Sequence, residues 1–349
     1  MALPKHNRVA VYHNNRDLRL ETRPLPLIGE GELLLEVHAS GICGSDLLEW
    51  YRLPKAPLVL GHEVAGRIAA VGGRIDRFAE GDRIVSTHHV PCFECDYCRS
   101  GRETMCALLR KTNWDPGGFA DFIRVPAVNV ERGTLSVPDN VSDNAASCVE
   151  PLACALRGQR KIKVGEGSSV LILGSGVSGC LHLFASRVRG ASKVFMTDPE
   201  PARRAVAERL GADAVFDAHD AVPQLLRDTL GRGVDYVIAT TGARAAIDQA
   251  FQVVDRGGTI LFFAPMGPDV QLPVSFDTVF WRNDVTLTST YGAAPQDMKE
   301  ALIVIASGRV DLDQLVTHTL PLGEIQRGFE MMMEGKESLK IIVDPRLDR

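Results

Sequence analysis

Ser169-Val170-Leu171-Ile172-Leu173-Gly174-Ser175-Gly176-Val177-Ser178-Gly179-Cys180-Leu181 decides how the second half of the chain folds. Val170 to Leu173 is a continuous apolar run of the kind a strand needs when both its faces are covered. The glycines after it permit a tight turn into a helix running from Leu181 to Arg189. A second apolar run, Lys193 to Thr197, ends at Asp198, 19 residues beyond Gly179. In that context a pyrophosphate approaches the helix N-terminus closely, and the acid accepts hydrogen bonds from the adenosine ribose. Asp198 would repel a 2′-phosphate, which favours NAD over NADP, whereas Arg203 could stack on adenine or contact phosphate.

Downstream the alternation continues. Helical periodicity over Ala202 to Leu210, Val222 to Leu230 and Ala245 to Val254 separates strand-like runs at Ala214 to Phe216, Val234 to Ile238, Gly258 to Phe263 and Asp284 to Ser289. Six strands with intervening helices predict a doubly wound parallel sheet. Upstream the pattern is different: short β-rich pieces at Val9 to Tyr12, Leu33 to Val37, Val64 to Val71 and Asp82 to Val85 are broken by glycine and proline turns, as in a small β-barrel. Between the two regions, Ser142 or Asp143 would cap a helix continuing through Leu156, kinked at Glu150-Pro151. From about Ala293 the chain should return to the first domain. The expected boundaries are 1–155 with 293–349, and 156–292.

The 349 residues suffice for two domains, and 45% hydrophobic with 24% charged residues is a globular composition. A formal charge of -5 gives no electrostatic reason to expect nucleic acid or an anionic membrane as partner. Without a signal-like N-terminus or an apolar run of membrane-spanning length, the expected location is cytoplasmic. Eight cysteines in such a chain, four of them between Cys92 and Cys106, argue for metal rather than disulfides. Cys92, Cys95, Cys98 and Cys106 follow C-x2-C-x2-C-x7-C, and four thiolates so spaced close a tetrahedral Zn²⁺ shell of the structural kind. An iron–sulfur cluster is the alternative for that lobe, about 90–107. Ser40-Gly41-Ile42-Cys43-Gly44-Ser45-Asp46 and Val59-Leu60-Gly61-His62-Glu63 supply further metal-ligand types beside turn glycines.

Taken in order, Cys43-Gly44-Ser45-Asp46, Gly61-His62-Glu63, the four-cysteine lobe, Glu150-Pro151 and Gly174 to Gly179 resemble the zinc-containing medium-chain alcohol dehydrogenases, above all the sorbitol, polyol and threonine dehydrogenase branch. The resemblance implies an α/β chain with a GroES-like β-barrel catalytic domain and a Rossmann doubly wound parallel-sheet cofactor domain. It also implies two Zn²⁺ per chain, one structural and one catalytic, the latter on Cys43, His62 and Glu63. Glu150 would be an exchangeable fourth ligand, because one thiolate, one carboxylate and a neutral imidazole already balance Zn²⁺. Cofactor contacts are expected from Gly174, Gly176, Val177, Ser178, Gly179, Asp198, Arg203 and Thr241. Trp50, Tyr51, Phe119 and Tyr291 are the candidate pocket residues.

The implied reaction is hydride transfer between NAD and a secondary alcohol or ketone, of polyol, cyclitol, sugar or amino-alcohol type, with Ser45 carrying the proton. Leu48 stands where many relatives have a histidine, so the proton must leave Ser45 by another route. A biosynthetic carbonyl reductase, with NAD or NADP, would use the same residues. Intact Cys43, His62, Glu63 and Glu150 argue against a non-catalytic binding protein on this scaffold. His88 and His89 are expected to be structural or solvent-facing. The resemblance further implies a homodimer or homotetramer.

Overall fold

A computed structural model describes residues 3–272, 274–336 and 338–349. It divides into two compact units, Met1–Ala153 with Gly292–Arg349, and Cys154–Tyr291. The first begins with β1 (His6–Asn14), β2 (Asp17–Pro24), β3 (Leu33–Gly41), α1 (Glu49–Arg52), β4 (Leu58–Val59), β5 (Glu63–Val71) and β6 (Arg83–Ser86). It goes on through α2 (Asp96–Arg99), β7 (Phe122–Val125), α3 (Ala127–Gly133), β8 (Thr134–Ser136) and α4 (Asp143–Ser147). The boundary between the units falls within α5 (Val149–Ile162).

The second unit holds β9 (Ser169–Leu173), α6 (Val177–Arg189), β10 (Lys193–Asp198), α7 (Pro201–Arg209), β11 (Ala214–Asp217), α8 (Val222–Leu230) and β12 (Val234–Ala239). Then come α9 (Arg244–Val253), β13 (Val254–Phe262), α10 (Phe276–Val279) and β14 (Thr286–Ser289). The tail adds α11 (Pro295–Ala306), β15 (Val316–Leu320), α12 (Ile325–Glu334) and β16 (Lys340–Val343) to the first unit.

In the second unit six parallel strands lie in the order β11-β10-β9-β12-β13-β14. Every residue of β9 is buried, as its apolar run requires at the centre of a sheet covered on both faces. β13 starts earlier than the sequence suggests, at Val254, and a register irregularity between Val234 and Tyr236 of β12 absorbs the extra residues.

The first unit has a sheet in the order β15-β16-β3-β5-β6-β8, with β7 also on β3, and a smaller sheet β2-β1-β4. Its core gathers Tyr12, Leu35, Ile68 and Ile123 from strands far apart in sequence and Phe329 from α12. Central strand β3 pairs antiparallel with β5 and β16, so Gly41 faces Glu63 on one side and Ile342 on the other.

The helix expected from Ser142 to Leu156 is two helices. Ser142 caps α4 by accepting from the N–H of Ala145 at 2.9 Å, but α4 ends at Ser147 and α5 begins at Val149. Pro151 has no N–H to give the carbonyl four residues back, Ser147, so the interruption falls there rather than as a kink at the proline itself.

Candidate metal centre and nucleotide site

Cys43 ends the turn after β3 and caps a short 3₁₀ helix, Gly44–Leu47. Its sulfur accepts from the Ser45 N–H at 3.5 Å and the Ser45 hydroxyl at 3.4 Å. His62 and Glu63 enter at the start of β5, which pairs with β3 beside Cys43. One donor atom from each of Cys43, His62 and Glu63 comes within 4.8 Å of the others. Fully buried Asp46 ties the group together. Its carboxylate accepts from the Cys43 N–H at 3.1 Å and stands 3.4 Å from His62 Nδ1, leaving Nε2 of that ring for a metal. Burial alone would raise the Asp46 pKa, but His62 and Arg52 hold it below the ordinary carboxylate value. Burial would lower that of His62, but Asp46 and Cys43 carry it well above the ordinary imidazole value.

Behind Glu63 stands a residue that sequence reading did not single out. Lys340, the first residue of β16, is 1% exposed and donates to the Glu63 carboxylate and, at 3.1 Å, to the carbonyl of Ile42. Burial would lower its pKa, but the negative groups around it, chiefly Glu63, raise it instead. A side chain at Gly41 would collide with the Glu63 carboxylate and the Lys340 ammonium, so this glycine makes the room in which the pair meets. The available signal was a lysine directly before Ile341-Ile342-Val343, at a strand position that proves to be buried. Arg52 was also missed. Its guanidinium donates to the Ser45 carbonyl at 3.0 Å, the Ser45 hydroxyl at 3.2 Å and Asp46 at 3.2 Å.

Glu150 is half-buried in the first turn of α5 and is not one of the three clustered donors. His88 lies closer to the site than a solvent-facing residue would. Its ring is 5.3 Å from that of His62 and 3.8 Å from that of His89. Burial pushes His88 well below the usual imidazole pKa and His89 to about 4, so both rings are neutral at pH 7. Trp50 and Tyr51 are exposed on α1, and Tyr291 is exposed at the end of the second unit. Phe119 is the correction among the expected pocket residues. It is fully buried and packs edge-on against Phe329 in the core, because its backbone pairs with Ala10 and Leu60 and turns the ring inward.

The four lobe cysteines also converge within 4.8 Å. Sulfur–sulfur distances of 3.9, 3.5 and 3.6 Å (Cys92–Cys98, Cys95–Cys98, Cys92–Cys106) match the edge of about 3.8 Å that a tetrahedron with Zn–S near 2.3 Å would have. Main-chain N–H groups of Glu94 and Cys95 lower the Cys92 pKa. Burial would raise that of Cys106, but N–H groups of Cys92 and Leu109 bring it to about 6. None of the eight cysteines is joined in a disulfide. Both donor sets therefore suit Zn²⁺, one closed with four sulfurs and one mixed.

In the second unit Gly174 takes φ +101°, where a side chain would also press on the Thr240 hydroxyl. Gly176, the N-cap of α6, has no such need. Among the described residues the only atom near an added Cβ is the end of Arg203, 3.9 Å away, so the open space above it is of the kind a phosphate fills. Val177, Ser178 and Gly179 form the first turn of α6. Asp198, at the end of β10, is buried and accepts from the N–H of Ser175 at 2.8 Å and of Glu200 at 2.9 Å. Arg203 keeps a buried Nε that has no partner among the described residues. The Thr241 hydroxyl accepts from the Ala243 N–H at 3.2 Å, near the glycine turn.

Residues 29–139 match the model of the alcohol dehydrogenase GroES-like domain, and residues 176–307 that of the zinc-binding dehydrogenases. A sorbitol dehydrogenase of Bacillus subtilis is 32% identical, with 98% of each chain covered. An L-threonine 3-dehydrogenase of Rhizobium etli is 29% identical over 94% of this chain and 95% of its own. Among solved structures, a zinc-binding dehydrogenase of Sinorhizobium meliloti bound to NADP superposes with a TM-score of 0.87 at 25% identity, covering 98% of this chain and all of the other.

Proposed function

Because the chain belongs to the zinc-containing medium-chain dehydrogenases, in the branch of the sorbitol and threonine enzymes, we propose that it oxidises a secondary alcohol with NAD at a metal held by Cys43, His62 and Glu63. It is a zinc-dependent alcohol or polyol oxidoreductase with a nicotinamide cofactor. The convergence of thiolate, imidazole and carboxylate at one point carries the site assignment. Cys92, Cys95, Cys98 and Cys106 would hold a second, structural Zn²⁺. When bound at the mixed site, the metal supplies a Lewis acid that lowers the pKa of an alcohol oxygen.

The chain's own residues do the rest. Asp46 fixes the orientation of His62. Ser45, whose hydroxyl lies 3.4 Å from the Cys43 sulfur, is the group that takes the substrate proton. Arg52 donates to that oxygen but has no acceptor with which to pass the proton on, so the relay leaves Ser45 through water or the cofactor ribose. Lys340 alters the charge balance. With its ammonium counted, the Cys43 thiolate, Glu63 and a dication leave one positive charge, which Glu150 can cancel. Glu150 is therefore electrostatically suited to be the fourth ligand, and Lys340 competes for the Glu63 oxygen that a permanent ligand would use.

NAD is the proposed acceptor because the buried Asp198 carboxylate sits at the end of β10 with lone pairs left for a ribose diol. Cysteines used as metal donors rather than in disulfides support a reducing, cytoplasmic setting. Zinc analysis of the purified protein, with NADH and NADPH formation measured across a polyol panel, tests the reading. Two zinc ions per chain and turnover with NAD are expected. His62→Ala should drop one zinc and abolish turnover, and retention of both would exclude the assigned site.

A further inference from the structure

Between the segments carrying Cys43 and His62, the chain places two cations, Arg52 and Lys55, close to one aromatic ring. Arg52 folds back from the end of α1 onto Ser45, with its side chain only 13% exposed. Its Nη2 is engaged by the Ser45 hydroxyl and Asp46 and its Nε by the Ser45 carbonyl, while among the described residues no hydrogen bond engages Nη1. Three residues further on, the Lys55 ammonium stands 3.6 Å from the centre of the Tyr51 ring, and the Arg52 guanidinium stands 4.8 Å from the same ring. Among the described residues Lys55 has no carboxylate partner.

The carboxylate that faces this group, Asp46, is already shared among the Cys43 N–H, Arg52 and His62. Glu49, on the same helix, is turned away to the N–H of Asn15 at 3.2 Å. Burial would raise the Tyr51 hydroxyl's pKa, yet Lys55 and Arg52 hold it below its ordinary value, as a positive local field should. The metal site does not neutralise the surplus, because Lys340 offsets one of its two acidic ligands.

We propose that Arg52 and Lys55 form an anion subsite, so that the substrate is a hydroxy compound carrying a carboxylate or phosphate a few bonds from the carbon that is oxidised. The separation follows from the contacts: the Arg52 fork touches the Ser45 hydroxyl, which touches the sulfur of the Cys43 ligand. An anion on the unengaged edge of that fork puts its neighbouring hydroxyl within reach of the metal and Ser45. A neutral polyol of the same size would leave the unengaged edge of Arg52 and the Lys55 ammonium without an anionic acceptor. This inference rests on the metal site proposed above.

Binding separates the two readings. Zinc-replete protein with NADH is titrated with 3-hydroxybutyrate, with its neutral counterpart 1,3-butanediol, and with glycerol 3-phosphate against glycerol, following tryptophan fluorescence and heat. At least one anionic probe should bind about tenfold more tightly than its neutral counterpart, and the advantage should shrink as salt rises from about 20 to 200 mM. The member of the pair that shows it tells carboxylate from phosphate. Lys55→Met, at an exposed position where folding is not at risk, should reduce the advantage, and Arg52→Met should abolish it. Arg52→Lys should restore part of it.

Equal binding of charged and neutral probes to protein holding two zinc ions would overturn the subsite while leaving the metal site intact. So would variants that weaken NADH and leave the anion preference untouched. Loss of zinc with loss of all probe binding would instead locate the failure in the metal site.

Discussion

Lys340 and Glu63 form a buried ion pair whose energetics are asymmetric. Each charge is tolerated in the interior because the other is there, and removing one leaves its partner desolvated and unpaired. Lys340→Met should therefore cost the metal-free protein about 3–5 kcal/mol in urea denaturation. The double variant Lys340→Met, Glu63→Gln should recover most of that loss, since no lone charge remains. A single variant within about 1 kcal/mol of wild type would mean that water or relaxation already compensates Glu63. At this scale the ligand types at Cys43, His62 and Glu63 were legible, because each lies beside a turn glycine in a short motif. Their supporting charges were not. Lys340 is 277 positions from Glu63, and nothing local in Leu339-Lys340-Ile341 says which buried carboxylate it will meet. Arg52, only seven residues from Ser45, reads in the sequence as an ordinary surface arginine.

Element by element, the parallel sheet could be read almost strand for strand, since β9 and β10 are apolar runs closed by glycine or an acid. Where α4 stops and α5 starts was not readable, because helical periodicity continues through a missing hydrogen bond. α6 carries a feature that periodicity conceals. His182 is wholly buried on it, 4.4 Å from the Phe263 ring, with Nδ1 at 3.2 Å from the Gln159 amide and Nε2 without a partner. Burial brings its pKa down to about 3, against about 6.5 for a histidine in an unfolded chain. The unfolded state thus takes up the proton first as pH falls. The stability contributed by the neutral ring is complete above about pH 6.5 and is lost progressively towards pH 3. Between pH 7 and 5 the urea midpoint of His182→Gln should fall less steeply than that of wild type, and parallel curves would count against this account.

For the molecule as a whole, the sheet of the second unit ends in two edge strands, β11 and β14. Among the described residues β14 pairs only with β13, and a few positions before it in the chain Phe276, Phe280 and Trp281 are 69%, 38% and 60% exposed. An unpaired strand beside exposed aromatics is a liability unless something covers it. We propose that a second copy does so, giving the expected homo-oligomer. Sedimentation should show a dimer or larger assembly that Trp281→Glu converts to monomer with its circular dichroism unchanged. A wild-type monomer would contradict this.

By itself the sequence determined what short-range geometry controls. The C-x2-C-x2-C-x7-C spacing, the glycine turn between β9 and α6, and the Gly-His-Glu and Cys-Gly-Ser-Asp turns each fix their backbone within a dozen or so residues, so their chemistry can be read without knowing the fold. Tertiary structure alone decided what surrounds them. The pairing of β16 and β5 on either side of β3 puts a lysine from the end of the chain against Glu63 over Gly41. The turn after Leu60 sends Phe119 into the core, and the return of α1 brings Arg52 onto Ser45. Charge acts through space rather than along the chain, so the balance of charge around Cys43, His62 and Glu63 is set by topology.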